Sequence, residues 1–129
     1  MKKIAFICVH NSCRSQMAEC LGKYYLQGLY ECYSAGTETK PMINQDAVQI
    51  MKEMYGIDME VNGQYSKRLK DIPDCDYYIS MGCNVTCPFI GRDFDDNWRL
   101  EDPTGKNKEA FIEVIKEIEK RILYLYEEK

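Results

Sequence analysis

The sequence predicts a doubly wound α/β domain with a parallel sheet. Three observations carry this: a short, wholly apolar run near the N-terminus, helical stripes behind the strand candidates, and alternation of the two along the chain. Ile4-Ala5-Phe6-Ile7 is too short for a helix and apolar throughout, the pattern of a strand covered on both faces. From Ser15 to about Gln27, Met17, Ala18, Leu21, Tyr24 and Tyr25 recur at helical spacing, and Gly28 stops the element. A second strand is expected over Glu31 to Ala35, ending at Gly36. Pro41 and Asn44 then prepare a helix whose buried face is Ala47, Ile50, Met51 and Met54, and Gly56 ends it. A short helix around Ser66 to Asp71 stops at Pro73, and Cys75 to Met81 reads as a third strand. Residues 82–106 hold glycine, proline and many acids, with at most a short strand near Trp98. Loops of that length are often functional. The last helix starts at about Asn107 and puts Phe111, Val114, Ile115, Ile118, Ile122 and Leu125 on one stripe.

Composition narrows the function classes. A chain of 129 residues fits one domain over its whole length, 1–129, and buries most of its apolar surface without a structural metal. Seventeen basic and 21 acidic residues give a net charge of −4, and no basic block is present, so nucleic acid is not an expected partner. Met1-Lys2-Lys3 resembles the start of a secretion signal. The apolar run behind it, Ile4 to Val9, is short and leads into polar residues and an arginine. No segment approaches the ~20 apolar residues that span a bilayer. The expectation is a soluble, cytoplasmic monomer. Seven cysteines, an odd count, then point to redox or metal chemistry rather than a disulfide framework.

Cys8-Val9-His10-Asn11-Ser12-Cys13-Arg14-Ser15 places a cysteine at the end of the first strand and an arginine six residues on, where the first helix begins. A loop of this length can turn its backbone N–H groups inward around a tetrahedral anion, and the helix N-terminus adds partial positive charge. Arg14 supplies a planar fork for two anion oxygens, and the same field favours the thiolate of Cys8. Ser15 is placed to donate to that thiolate. The expectation is an anion pocket with a nucleophile at its floor. A bare cysteine–arginine spacing also fits a buried strand-end thiol beside a surface arginine. Placement between strand and helix favours the pocket.

The segment CVHNSCRSQMAE resembles the catalytic loop of the low-molecular-weight tyrosine phosphatase superfamily, which includes arsenate reductases of the thioredoxin-coupled kind. The resemblance extends through Tyr33-Ser34-Ala35-Gly36 and Glu101-Asp102-Pro103. It implies the low-molecular-weight phosphatase fold, with four parallel strands in flavodoxin-like order. It also implies that Cys8 is the nucleophile, Arg14 the oxyanion clamp and Asp102 the general acid, with Asn11 and Ser34 holding the loop in shape. The chain departs from the family at the third loop position, where His10 replaces the usual glycine. If that position needs a positive torsion, histidine is less comfortable there than glycine.

Both activities of the superfamily begin with attack by Cys8 on a tetrahedral oxyanion while Asp102 protonates the departing oxygen. A phosphocysteine is then resolved by water. An arsenocysteine can be attacked at sulfur by a second thiol, and a third thiol then clears the enzyme. Met81-Gly82-Cys83-Asn84-Val85-Thr86-Cys87-Pro88 supplies such a pair directly after the third strand, facing the same crevice as Cys8. The resembled reductases carry a cysteine pair in this region with wider spacing. The phosphatases generally lack it, tend to have proline where this chain has Gln16, and have an aromatic-rich segment where it has Thr104-Gly105-Lys106. The reading is therefore arsenate reduction by Cys8, Cys83 and Cys87, with weak phosphatase activity beside it. No cofactor or metal is bound, and thioredoxin serves as external reductant. A phosphatase using Cys8, Arg14 and Asp102 is the alternative, and a thiol redox sensor is a non-enzymatic one. Other readings stand at single residues. Cys83 and Cys87 fit half a metal site or ordinary buried thiols, as Cys20, Cys32 and Cys75 are read. Zinc is disfavoured by the single histidine and the lack of a second cysteine pair. Cys13 is read as structural, although its position would let it pair with Cys8. Asp102 also reads as a solvated acid among Asp93, Asp95, Asp96 and Glu101.

Overall fold

The computed structural model describes residues 1–82 and 90–128. Strand β1 (Lys2–Ile7) leads to helix α1 (Arg14–Tyr25), then β2 (Tyr30–Ala35), α2 (Gln45–Tyr55), a 3₁₀ turn (Leu69–Asp71), β3 (Tyr77–Ser80), β4 (Asp96–Asn97) and α3 (Lys108–Glu128). The four strands form one sheet of order β2-β1-β3-β4, parallel at every described pairing. This is the flavodoxin-like order. In register, Ile7 faces Ala35 on one side and Ser80 on the other, so Cys8, Gly36 and Met81 leave the sheet at the same carboxyl edge. The chain reverses direction across the sheet between β1 and β3, where open α/β sheets form their crevice.

Alternation along β1 shows why its apolar run is unbroken. Ile4 and Phe6 enter the larger core with buried residues of all three helices, while Ala5 and Ile7 join Ala35 and Tyr78 in a smaller one. That second face is covered by Leu69 of the 3₁₀ turn and by Ile72, Cys75, Ile90 and Phe94. Helix α1 is enclosed over its first nine residues, Arg14 to Gly22, polar ones included. Its tail emerges, and Tyr24 is exposed rather than part of the buried stripe.

Asn44 caps α2 as expected, its side chain accepting from the amide of Ala47 at 3.0 Å. Gly56 ends the helix in the left-handed region at φ 69°. The buried face is Ala47, Val48, Ile50 and Met51. Met54 lies one turn too far along and is exposed. The expected helix at Ser66 to Asp71 is only the 3₁₀ turn, because its first residues run beside β2, where Gly36 and Arg68 form a parallel bridge. Cys20 and Cys32 are buried thiols, but Cys75 is only half-buried. The long loop is held at Trp98, which is buried with its ring 5.5 Å from that of Phe6. Pairing with β3 continues past β4 through Trp98 N to Ser80 O (2.9 Å) and Leu100 N to Met81 O (2.7 Å). This carries residues 100–104 to the crevice. Among the described residues no helix is long and apolar enough to cross a membrane.

Candidate active site

The loop between β1 and α1 is built by satisfying its carbonyls from outside. Val9 O accepts from Glu38 N (2.9 Å), Ser12 O from Asn44 N (2.8 Å), His10 O from Ser66 Oγ (2.9 Å) and Asn11 O from Gln16 Nε2 (3.0 Å). With the carbonyls turned outward, the amides of Val9 through Cys13 have no acceptor among the described residues. Successive N–H groups free at a helix N-terminus form a nest for an anion. Gly36 lies under this loop. A Cβ there would meet Val9 O at 2.5 Å and Cys8 O at 2.9 Å, so any side chain would push the loop off the sheet.

Inside the loop, Cys8 is buried and its Sγ lies 2.9 Å from Ser15 Oγ. Asn11, fully buried, takes the left-handed conformation at φ 50°. The positive torsion thus falls on Asn11 and not on His10, and asparagine tolerates it better than most residues. His10 sits at the rim with its Nε2 3.5 Å from Glu38. Arg14 is largely enclosed and donates from Nη1 to Leu100 O at 2.8 Å. Cys13 precedes α1 without a side-chain cap. Burial pushes its thiol up to about 12, helped by the negative charges of Asp102 and Cys8 and opposed by Thr104 and Arg14.

Asp102 reaches this site from the late loop. It is exposed, and its Oδ1 accepts from Thr104 Oγ1 (2.7 Å) and Thr104 N (3.0 Å). Partial burial pushes its carboxyl up, but the Thr104 bonds and the charges of Arg14 and Lys40 outweigh that and hold it below the ordinary value. Gly82, at φ 139°, occupies the third wall. A Cβ there would lie 2.8 Å from Leu100 O and 3.0 Å from Arg14 Nη1. Cys83 and Cys87 lie outside the described residues. Among the described residues no group of His, Cys, Asp and Glu side chains is arranged to hold a metal ion.

A family model described as low molecular weight phosphotyrosine protein phosphatase matches residues 3–128. The chain belongs to the low molecular weight phosphotyrosine protein phosphatase family. Within this family it is similar to a Synechocystis protein named glutaredoxin arsenate reductase, at 36% identity over 95% of this chain and 94% of that one. Among solved structures it is similar to an arsenate reductase in the phosphate binding state, with a TM-score of 0.82 and 36% identity, covering 97% of this chain and 96% of that one. A Corynebacterium glutamicum thioredoxin-dependent arsenate reductase matches with a TM-score of 0.74 and 32% identity, over 99% of this chain and 61% of that one.

The phosphatase-family loop rests on residues that sequence reasoning passed over. Glu19 is buried in α1 and accepts from Ser34 Oγ at 2.5 Å, from Lys23 Nζ at 2.6 Å and from Lys67 Nζ at 3.2 Å. Lys67 is buried too, and burial pulls its ammonium below the ordinary lysine range against the opposing pull of Glu19. Its backbone N donates to Asn11 Oδ1 at 2.8 Å. Among the described residues Ser34 therefore meets the loop through Lys67, whose Nζ lies 3.4 Å from its Oγ. A charged residue inside an otherwise buried helical stretch was the one local signal for Glu19. Nothing local marked Lys67 or the Leu100 carbonyl.

Proposed function

We propose that this chain reduces arsenate to arsenite by a relay through Cys8, Cys83 and Cys87, with thioredoxin restoring the dithiol. The observation that carries this reading is Gly82. It follows Met81, which stands level with Cys8 at the end of β3, and it has no room for a side chain beside Arg14, so the last described residue before Cys83 lies at the wall of the anion loop. The arsenate reductases among its relatives support the substrate, and the thioredoxin-dependent one supports the reductant.

In this reading the loop amides from Val9 to Cys13, with Ser12 among them, and the free edge of Arg14 hold the arsenate oxygens. The Cys8 thiolate attacks arsenic. One arsenate hydroxyl leaves as water, taking a proton from Asp102, and a sulfur–arsenic bond takes its place. The Thr104 bonds, and behind them the Arg14 guanidinium, hold the Asp102 carboxyl low; a bound anion offsets the Arg14 part, so substrate itself favours protonation of the acid. Cys83 then attacks the sulfur of Cys8. A Cys8–Cys83 disulfide forms, and the electron pair of the sulfur–arsenic bond leaves with arsenic as arsenite. Cys87 attacks Cys83, freeing Cys8 as thiolate and leaving Cys83–Cys87 for the external reductant.

Peptide mapping after a single turnover tests each step. Cys8→Ser should form no arsenic adduct, and Cys83→Ser should stall after attack on arsenate. Cys87→Ser should release one arsenite and trap Cys8–Cys83, while wild type accumulates Cys83–Cys87. Full multiple turnover of arsenate in Cys83→Ser, or a productive Cys8–Cys13 disulfide, would overturn the relay. Hydrolysis of a phosphoester without arsenite formation would favour a phosphatase working through Cys8, Arg14 and Asp102. Regeneration by a glutaredoxin system but not by thioredoxin would correct the reductant, a distinction made pertinent by the Synechocystis relative.

A further inference from the structure

We infer that Gln16 is a positioning residue that, together with Lys67 N, holds the direction of the hydrogen-bond chain ending on the Cys8 sulfur. It does so by clamping Asn11 from the side facing away from the anion. The inference rests on the loop being the reactive site of the proposed function, but not on which oxyanion the loop takes.

Gln16 is the third residue of α1 and fully buried. Its Nε2 lies 3.0 Å from Asn11 O, 2.9 Å from Asn11 Oδ1 and 2.8 Å from Tyr65 O. Two amide protons thus face three acceptors, and one proton is shared between the two Asn11 oxygens. The other end of the side chain is held as well. Gln16 Oε1 accepts from Gln64 Nε2 at 2.8 Å, and the same nitrogen lies 3.1 Å from Gln16 O. Gln16 is therefore fixed at both ends. It ties the left-handed Asn11 to the segment around residues 64–67, which the fold holds against the end of β2 through Gly36 N to Lys67 O (2.9 Å).

The polarity of the chain follows from groups that cannot reverse. Lys67 N is a donor, so the Asn11 atom it meets at 2.8 Å is the oxygen, in agreement with the donor Gln16 Nε2 on the same atom. Asn11 Nδ2 must then face Ser15 Oγ, at 2.8 Å. Ser15 has a single proton and receives one bond from Asn11. Among the described residues its remaining partner is Cys8 Sγ at 2.9 Å. A protonated thiol donating to Ser15 would leave the buried hydroxyl proton without an acceptor, which costs free energy. Ser15 therefore donates to Cys8 Sγ, a bond that sulfur accepts more strongly as thiolate than as thiol, so the chain favours the attacking form. Without Gln16, Lys67 N alone would orient the Asn11 carboxamide, and the Asn11 carbonyl would lose its outward partner. Both changes loosen the donor aimed at Ser15 and the amide nest around the anion.

The test uses the full reduced chain and follows alkylation of Cys8 by iodoacetamide, mapped by mass spectrometry from pH 4 to 10, with and without arsenate. Gln16→Met keeps side-chain length and removes both donors. It should raise the pH midpoint of Cys8 alkylation by about one unit and weaken protection by arsenate about tenfold. Gln16→Glu, nearly isosteric, turns an acceptor toward both Asn11 oxygens and should move the midpoint the same way. Tyr55→Phe, remote from the loop, supplies the control for a general loss of stability and should leave both quantities unchanged. In wild type, which needs no substitution, the Gln16 side-chain amide ¹⁵N resonance should follow the pH curve of Cys8 alkylation. A midpoint and a protection constant equal to wild type in the Gln16 variants would reduce Gln16 to packing. So would a Gln16 resonance indifferent to that curve. Neither result touches arsenate reduction, and wild type that is protected by arsenate yet forms no arsenite would defeat the proposed function while leaving this inference intact.

Discussion

Asn11 joins the backbone and the chemistry of the loop in one residue. Its left-handed torsion lets the chain turn back toward α1, and its carboxamide links Lys67 N to Ser15. Two predictions belong at this scale. Asp102→Asn keeps the shape of the late loop but removes the transferable proton, so turnover of arsenate should fall by about 10²–10⁴-fold while arsenate still protects Cys8 from alkylation. Steady-state rates beside protection constants measure this. Unchanged turnover would return Asp102 to the solvated surface. The second prediction concerns Lys67. Lys67→Met leaves the buried Glu19 with Ser34 and the half-exposed Lys23, and stability should drop by about 3 kcal/mol, the lower end of the range for breaking a buried pair. Urea denaturation reads this out. A midpoint equal to wild type would mean that Lys23 alone neutralises Glu19.

Between elements, the three helices are joined by one carboxylate. Glu119 on α3 accepts from Tyr25 Oη at the end of α1 (2.8 Å) and from Tyr55 Oη at the end of α2 (2.6 Å). Burial first, and then the Glu119 carboxylate, push both phenols up, that of Tyr25 to about 12. Glu119→Gln keeps volume and one acceptor but removes the charge, and Tyr55→Phe removes one bond. Each should cost about 1 kcal/mol, since the site is partly open to solvent. Thermal melting would show the loss, and arsenate turnover should stay at the wild-type level. A Tyr55→Phe protein as stable as wild type would mean that water replaces the hydroxyl at no cost. The helix bounds near Asn44 and Gly56 are local matters of capping and left-handed geometry, and the residue order alone makes them legible. The two-residue β4 was legible only as a strand near Trp98. Its position is decided by Trp98 packing on Phe6, distant in sequence.

For the molecule as a whole, the buried thiols set the alkaline limit. Burial pushes Cys13, Cys20 and Cys32 from 9.0 to about 12 each. A group raised in the folded state contributes stability that is complete below its unfolded pKa and lost as pH rises through the folded one. Above about pH 9 the unfolded chain releases these protons while the folded chain holds them, so stability should decline from there toward pH 12. Urea midpoints at pH 7.0, 9.0 and 10.5, in the presence of a reductant, measure the effect. The decline should be shallower in a Cys20→Ala, Cys32→Ala double variant, whatever its absolute loss from altered packing. Equal midpoints at all three values would contradict it.

By itself the sequence determined the alternating α/β architecture, the strand-end position of Cys8 with Arg14 at the helix start, and the bounds of α2. These depend on periodicity, capping and spacing within a few residues, which a linear reading preserves. Only the tertiary structure decided that Asn11 rather than His10 carries the positive torsion, that Glu19 meets Lys67, 48 residues away, and that Arg14 donates to Leu100 O, 86 residues away. It also decided that Gln16 spans Asn11 and Tyr65. Each of these satisfies a buried donor or acceptor with whatever distant group the folded sheet brings within about 3 Å, and no local pattern records that meeting.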